Sequence, residues 1–372
     1  MDKISLAKRL NNNKRGYLII NADQGKHKPA LIEDIENEYG TLAKLSKNIL
    51  KNALVIGFAE TAIAIGATLA SSAGAYFMQT TRENICAENE YIYFTEAHSH
   101  ATEQRIVLAD MKEIYERIDR IVFVEDEITT GNTIWHCIEE IESIFNGNKK
   151  YAIAPLTNTL SKERKKFFKE RNVEIVYIRD INKESFEADV LDTITDGDVS
   201  RIENAPKENN IKYIDFKTDI RTRRLLNIKD LDNEIIRLEE YLEKNIDIKT
   251  LIKGKNTVTV LGTEEFIYVP LKLAQYIYEN VDKSSKVYVH SSTRSPIEVS
   301  KTKDYPLHTR YEVESIYDKN RQTYIYDLKK SDIFFLVSDG KDKNGENDIL
   351  KAIKLAGNKD IYFIRWDNEQ QL

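Results

Sequence analysis

Three consecutive acids, Glu125, Asp126 and Glu127, follow directly on the apolar run Ile121–Val124, and the segment "TTGNT" begins two residues later. Adjacent carboxylates repel, and each loses hydration on burial, so Glu125 and Asp126 call for a partner that is cationic or rich in hydroxyl groups. Thr129, Thr130, Gly131, Asn132 and Thr133 read as a turn entering a helix near Ile134. Such a turn offers backbone N–H groups, hydroxyl donors and the positive end of a helix dipole, which together make a phosphate cradle. Acids beside a phosphate cradle make sense for a sugar phosphate. The carboxylates accept from a ribose diol, or hold it through Mg²⁺, while the turn takes the 5′-phosphate.

The elements that must position these residues are legible as short apolar runs alternating with helical patterns. "GYLII" leads into the basic turn "NADQGKHKPA", and "NALVIG" leads through Phe58–Thr61 into a helix of small residues. "EYIYF", "KYAIAPL" and "VEIVYI" are further strands, and Lys162–Arg171 is a charged helix. Strands of this kind separated by helices indicate a parallel sheet covered on both faces, at whose carboxyl edge ligands bind. The fold class expected is therefore α/β. From about Ile181 to Arg224 the chain is charged and irregular, with the boundary at Ala205-Pro206, and an amphipathic helix follows with Leu231, Ile235, Leu238 and Leu242 on one stripe. Strand–helix alternation then resumes, which gives three expected regions: 1–205, a linker with helix at 206–249, and an α/β region at 250–372.

The last region reads as a faded copy of the first. "VIGFAETA" lies on "VLGTEEFI", with Gly57 on Gly262 and Glu60 on Glu265. "FTEAHSHA" lies on "HSSTRSPI" with Ser99 on Ser295, "FVEDEI" on "LVSDGK" with Asp126 on Asp339, and "EIVYIRD" on "DIYFIRWD" with Ile178 on Ile364. The preserved order points to an internal duplication.

Composition narrows the function classes. The chain has 372 residues, 41% of them hydrophobic and 31% charged, with a formal net charge of -6, so overall charge gives no support to a nucleic-acid or anionic-membrane partner. Two cysteines, without metal-ligand spacing, suit a reducing cytoplasm. The uncharged stretch Thr61–Met78 is mostly Ala, Gly, Ser and Thr and reads as a buried, closely packed helix rather than a membrane span.

"IVFVEDEITTGNT" resembles the phosphoribosyl-pyrophosphate (PRPP) loop of type I phosphoribosyltransferases; Glu127 stands where that family has an apolar residue or Ser. "TRSP" at Thr293–Pro296, with "GKHKPA", "GFAETA" and "TTR" at Thr80–Arg82, resembles phosphoribosyltransferases that carry a C-terminal TRSP domain, found in tellurium-resistance (stress-response) gene clusters. The resemblance implies a type I phosphoribosyltransferase-like sheet and a Mg²⁺-dependent reaction. Ribose 5-phosphate would pass between PRPP and a base-like acceptor, in a pathway to a nucleoside-like metabolite. It implies that Glu125 and Asp126 bind the ribose hydroxyls and the metal, and that Thr129–Thr133 hold the 5′-phosphate. Ala59, Glu60 and Thr61 would fall in the pyrophosphate loop, where the acid Glu60 departs from the family. Arg82 and the loop through His100 would form a flap over the site.

Lys26 and His27 are candidates for a hood over the base, or else form a simple basic turn. His98 and His100, with Glu96, lack enough neighbouring ligands for a metal site and fit a flap contact better. Arg294, with the hydroxyls of Ser292, Thr293 and Ser295, makes a donor cluster suited to a phosphate or carboxylate; a surface ion pair is the alternative. Two other readings stay open: a non-catalytic sensor of PRPP or a nucleotide, and a ribose-phosphate enzyme with altered group transfer. A homodimer is also left open.

Overall fold

In the computed structural model, which describes residues 3–10, 15–87, 90–94, 104–147, 149–181, 186–200, 202–205 and 210–368, the apolar runs become the inner strands of two mainly parallel sheets. The chain forms two compact units, each discontinuous in sequence. The first gathers Tyr39–Glu184 and Asp219–Glu234; the second gathers Met1–Glu38, Ser185–Thr218 and Ile235–Glu369. The stretch 206–249, expected as linker and helix, is shared between them. Elements are numbered along the whole chain.

The first unit's sheet runs β10 (Val173–Ile175), β9 (Lys150–Asn158), β8 (Arg120–Ile128), β4 (Ala53–Gly57), β5 (Tyr76–Gln79) and β14 (Leu226–Asn227), with short β11 (Arg179–Asp180) also beside β9. All are parallel except β14. β4 is buried along its length, as a strand covered on both faces must be. The small-residue helix α2 (Ile63–Ala73) packs on it so closely that a Cβ on Gly66 would lie 3.0 Å from the Gly57 Cα. That closeness explains the uncharged Ala/Gly/Ser composition. No helix among the described residues is long and apolar enough to cross a membrane. The hairpin β6 (Tyr91–Tyr93) and β7 (Arg105–Val107) and helices α3 (Leu108–Ile114), α4 (Asn132–Ile144) and α5 (Lys162–Glu170) complete the unit's main elements.

The second unit's sheet runs β13 (Ile211–Lys217), β20 (Ile361–Asp367), β19 (Ile333–Ser338), β15 (Thr257–Gly262), β16 (Lys286–Ser291) and β3 (Ala30–Leu31), again parallel except at β3. Helices α8 (Ile248–Ile252), α9 (Tyr268–Asn280) and α10 (Lys343–Leu355), short α6 (Glu187–Val190) and the hairpin β17 (Thr309–Glu314)–β18 (Gln322–Tyr326) belong to it. So do β12 (Asp198–Ser200), paired with β17, and the hairpin β1 (Ile4–Lys8)–β2 (Tyr17–Asn21).

The two sheets have the same strand order, and their registers superpose. Gly57 pairs with Gln79 and Val124; Gly262 pairs with Ser291, and the register Leu261↔Leu336 extended by one residue makes Val337 the counterpart of Val124. β19 thus stands where β8 stands, Asp126 matches Asp339, and Glu60 matches Glu265, as expected. Two expected matches are corrected. Counting on from Gln79 and Ser291, "TTR" at Thr80–Arg82 is the counterpart of "STR" at Ser292–Arg294, so Arg294 matches Arg82; Ser99 lies outside the described residues. Val124↔Ala154 and Val337↔Ile364 make β20 the counterpart of β9, so Ile364 matches Ala154 rather than Ile178. The second error came from comparing apolar content, which cannot fix which strand is which.

The edge strands disclose an exchange. β14 pairs with β5 through Leu226↔Phe77, and β3 pairs with β16 through Ala30↔Val289, the same register position. Each strand opens a helix, α7 (Ile228–Ile246) and α1 (Ile32–Ser46), and the sequences match: "DLDNE" at 230–234 and "DIENE" at 34–38. In both copies the unit boundary falls just after the shared Glu. Each sheet is therefore completed by the edge strand from the other half of the chain.

Candidate functional site

β8 continues as a strand through the acids to Ile128, pairing Glu125 with Pro155 and Glu127 with Thr157. It is longer than the run Ile121–Val124 suggested, because β9 is long enough to pair with it. Ile121–Val124 are fully buried, whereas Glu125, Asp126 and Glu127 are half-buried at the carboxyl end. Burial and the adjacent Asp126 carboxylate push the Glu125 carboxyl well above the usual carboxylate range; the Arg82 guanidinium opposes that shift and Glu127 reinforces it. The expected need for a cationic or hydroxyl-rich partner is thus present in the electrostatics.

The turn after β8 is held from outside. Gly131, at φ +68° and as N-cap of α4, carries no side chain that could cap the helix, and a Cβ there would lie 2.7 Å from the Phe168 ring. Arg164 Nε donates to the Thr130 carbonyl at 2.7 Å, and Thr159 donates through both N and Oγ1 to the Ile128 carbonyl. The Asn132 N–H reaches Thr130 Oγ1 at 3.3 Å. Thr130 itself is exposed, and Thr129, Asn132 and Thr133 are half-buried. Arg164, Phe168 and Thr159 were missed in the sequence because their role is to support backbone, which leaves no motif.

The loop Phe58–Thr61 lies beside β8: Phe58 N donates to the Val124 carbonyl, and Ala59 N donates to Thr80 Oγ1 at 2.7 Å. The Ala59–Glu60 peptide is cis, and Glu60 is buried while Thr61 is half-buried. Arg82, three residues past β5, is half-buried, and its carbonyl accepts from Arg105 on β7. Glu96, His98 and His100 lie outside the described residues.

Three of the expected members belong to the second unit. Lys26 and His27 belong to the second unit, where both are buried, and Lys26 Nζ donates to the carbonyls of Glu264 and Ser292 and to Ser291 Oγ. The matching place in the first unit is taken by "RTRR", Arg221–Arg224. Its Arg224 binds buried Asp110 through Nε and Nη2 at 2.8 and 2.5 Å. Arg294 also lies in the second unit, 8% exposed in its side chain and bound to Glu264 at 2.8 Å and Glu265 at 3.3 Å.

Comparison with known proteins bears on this arrangement. The family described as phosphoribosyl transferase matches residues 4–182, and the TRSP domain described as C-terminal to it matches residues 227–353. The chain belongs to the phosphoribosyltransferases that carry a TRSP domain. Its first match covers β8, the acid pair and the turn Thr129–Thr133. Among solved structures, the orotate phosphoribosyltransferase of Aeropyrum pernix is similar at 18% identity and a TM-score of 0.31, over 48% of this chain and 89% of that one. The adenine phosphoribosyltransferase of Trypanosoma brucei, solved with AMP, pyrophosphate and ribose-5-phosphate, matches at 14% identity and a TM-score of 0.33, over 48% and 77% of the two chains. That of Saccharomyces cerevisiae matches at 12% and 0.30, over 47% and 94%. A search of curated proteins finds no match.

Proposed function

We propose that the first unit transfers ribose 5-phosphate between PRPP and a base-like acceptor, in either direction, with Mg²⁺. The observation that carries this reading is the succession at the carboxyl end of β8: two carboxylates, then a helix start whose N-cap is a glycine. Glu125 and Asp126 accept from the ribose hydroxyls, and the turn Thr129–Thr133 receives the 5′-phosphate on backbone N–H and hydroxyl donors.

Mg²⁺ suits this donor set. Two neighbouring carboxylates, one of them held against ionisation by burial and by the other, are hard oxygen donors that a divalent cation would discharge. Among the described residues no group of three or more His, Cys, Asp or Glu side chains is placed to hold an ion. Glu125 and Asp126 would therefore share the ion with substrate phosphates, as Mg²⁺ sites commonly do. When bound, the ion would neutralise charge on the departing pyrophosphate.

The residues of the chain do the rest by position. Displacement at the anomeric carbon passes through an oxocarbenium-like state and needs no enzyme nucleophile, so orientation, charge stabilisation and exclusion of water suffice. Arg82, close enough to favour the ionised form of Glu125, supplies positive charge on the leaving-group side. The test is a panel of purine and pyrimidine bases with PRPP and Mg²⁺, read by pyrophosphate release and by calorimetry. Absence of both turnover and PRPP binding would sink the reading. Buried Glu60 in the pyrophosphate loop favours a second one, a PRPP or nucleotide sensor, which predicts binding without turnover.

A further inference from the structure

The matched registers allow the second unit to be compared with the first residue by residue, and the counterparts of Ala59, Glu60, Arg82, Glu125 and Asp126 are all bound within their own unit. Glu264 stands where the first unit has Ala59, and is 1% exposed. Its carboxylate takes Arg294 Nε at 2.8 Å and Arg321 Nη2 at 2.9 Å on Oε2, and Ser315 Oγ on Oε1. Glu265, the counterpart of Glu60, pairs with Arg294 Nη2. Ser338 replaces Glu125 and is bonded to Thr263 Oγ1; Asp339, the counterpart of Asp126, accepts from Tyr317 OH at 2.6 Å.

The helix start differs in the same sense. α4 begins on Gly131 without a side-chain cap, whereas α10 begins on Asp342, whose Oδ1 accepts from Asn344 N at 2.9 Å and Gly345 N at 3.0 Å. A carboxylate of the chain therefore sits on the amides that would otherwise receive a phosphate. Above it lies the turn after β17: a Cβ on Gly345 would be 2.2 Å from the Ser315 carbonyl oxygen, and one on Gly340 would be 2.5 Å from Ile316. Neither glycine could carry even a methyl group.

We infer that the second unit is a copy of the phosphoribosyltransferase fold whose ligand site is closed by two of its own carboxylates. Glu264 takes the place of the pyrophosphate and Asp342 that of the 5′-phosphate. The unit binds neither ligand, and its arginines serve its own stability. The assignment of those two places rests on the reading of the first unit, while the closure itself does not.

Calorimetry of the full-length protein with PRPP and Mg²⁺ separates the two. One equivalent per chain, lost in Asp126→Asn, is the expected result. No binding at all would remove the reading of the first site and leave the second unit silent, as inferred. Two equivalents, or one that survives Asp126→Asn and is lost in Arg294→Ala, would overturn the inference. A second measurement addresses the mimicry. The variant Glu264→Gln with Asp342→Asn keeps shape and removes both charges, so millimolar inorganic pyrophosphate should raise its Tm further than it raises that of the wild type. A folded variant with no such added shift refutes the mimicry. Should the double variant not fold, Glu264→Gln alone carries the same comparison.

Discussion

Arg82 and Arg294 occupy one register position, three residues beyond the ends of equivalent strands. Arg294 is neutralised by Glu264, and the first unit has Ala59 at the Glu264 position. Ala59→Glu would place a carboxylate in the first unit at the position from which Glu264 binds Arg294. We expect PRPP or pyrophosphate affinity to fall at least about tenfold, or ~1.4 kcal/mol. Equal affinity in a variant with unchanged Tm would refute a role for Arg82 toward the leaving group.

Asp126→Asn keeps the size of the side chain and removes its charge. Ligand affinity or turnover should drop by at least about tenfold, ~1.4 kcal/mol. Calorimetry and pyrophosphate release in the same preparation check it, and undiminished values in both would remove the acid pair from the site.

The raised carboxyl of Glu125 gives a pH dependence with a definite sign. A carboxyl whose folded pKa lies above its unfolded value binds its proton more tightly in the folded state. Its contribution to stability is therefore present at low pH and is lost as pH rises from the usual carboxylate range through the raised value. Binding of Mg²⁺ or a ribose diol requires the ionised form and should release a proton in that window. Titrations in buffers of different ionisation enthalpy measure the release, and Glu125→Gln should abolish it. An unchanged proton count in that variant would assign the release to another group.

The exchanged segment predicts a stability effect at a distance in sequence. Arg224 and Leu225 N are bound to buried Asp110, and Asp232 accepts from Ser71 Oγ. Arg224→Ala should destabilise the first unit by about 2–3 kcal/mol, since it leaves a buried carboxylate without its charged partner. A fragment of residues 1–205 should likewise be less stable than one of residues 1–234, which restores β14. Equal urea midpoints for the two fragments would count against the exchange.

The succession of strand, acid pair, turn and helix could be read from residue types alone because it is contiguous: all four fall within one short stretch, and each step is local chemistry. Burial of Ile121–Val124 and the stripe Leu231, Ile235, Leu238 and Leu242 could be read likewise, since periodicity reports which side is apolar. What lay beyond reach was the choice of partner. "DIENE" and "DLDNE" each follow an edge strand that fits either of two sheets of one register, and local pattern is indifferent between them. Packing settles that choice, which carries Lys26 into the second unit and Arg224 into the first. The alternation of a strand tells in from out with period two, and apolar runs resemble one another. Ile364 could therefore be laid on Ile178 until backbone pairing placed it on Ala154. The fate of Arg294 was hidden for a related reason. Whether an arginine meets a ligand or a carboxylate of its own chain depends on Glu264, thirty residues earlier in the sequence, and only folding brings the two together.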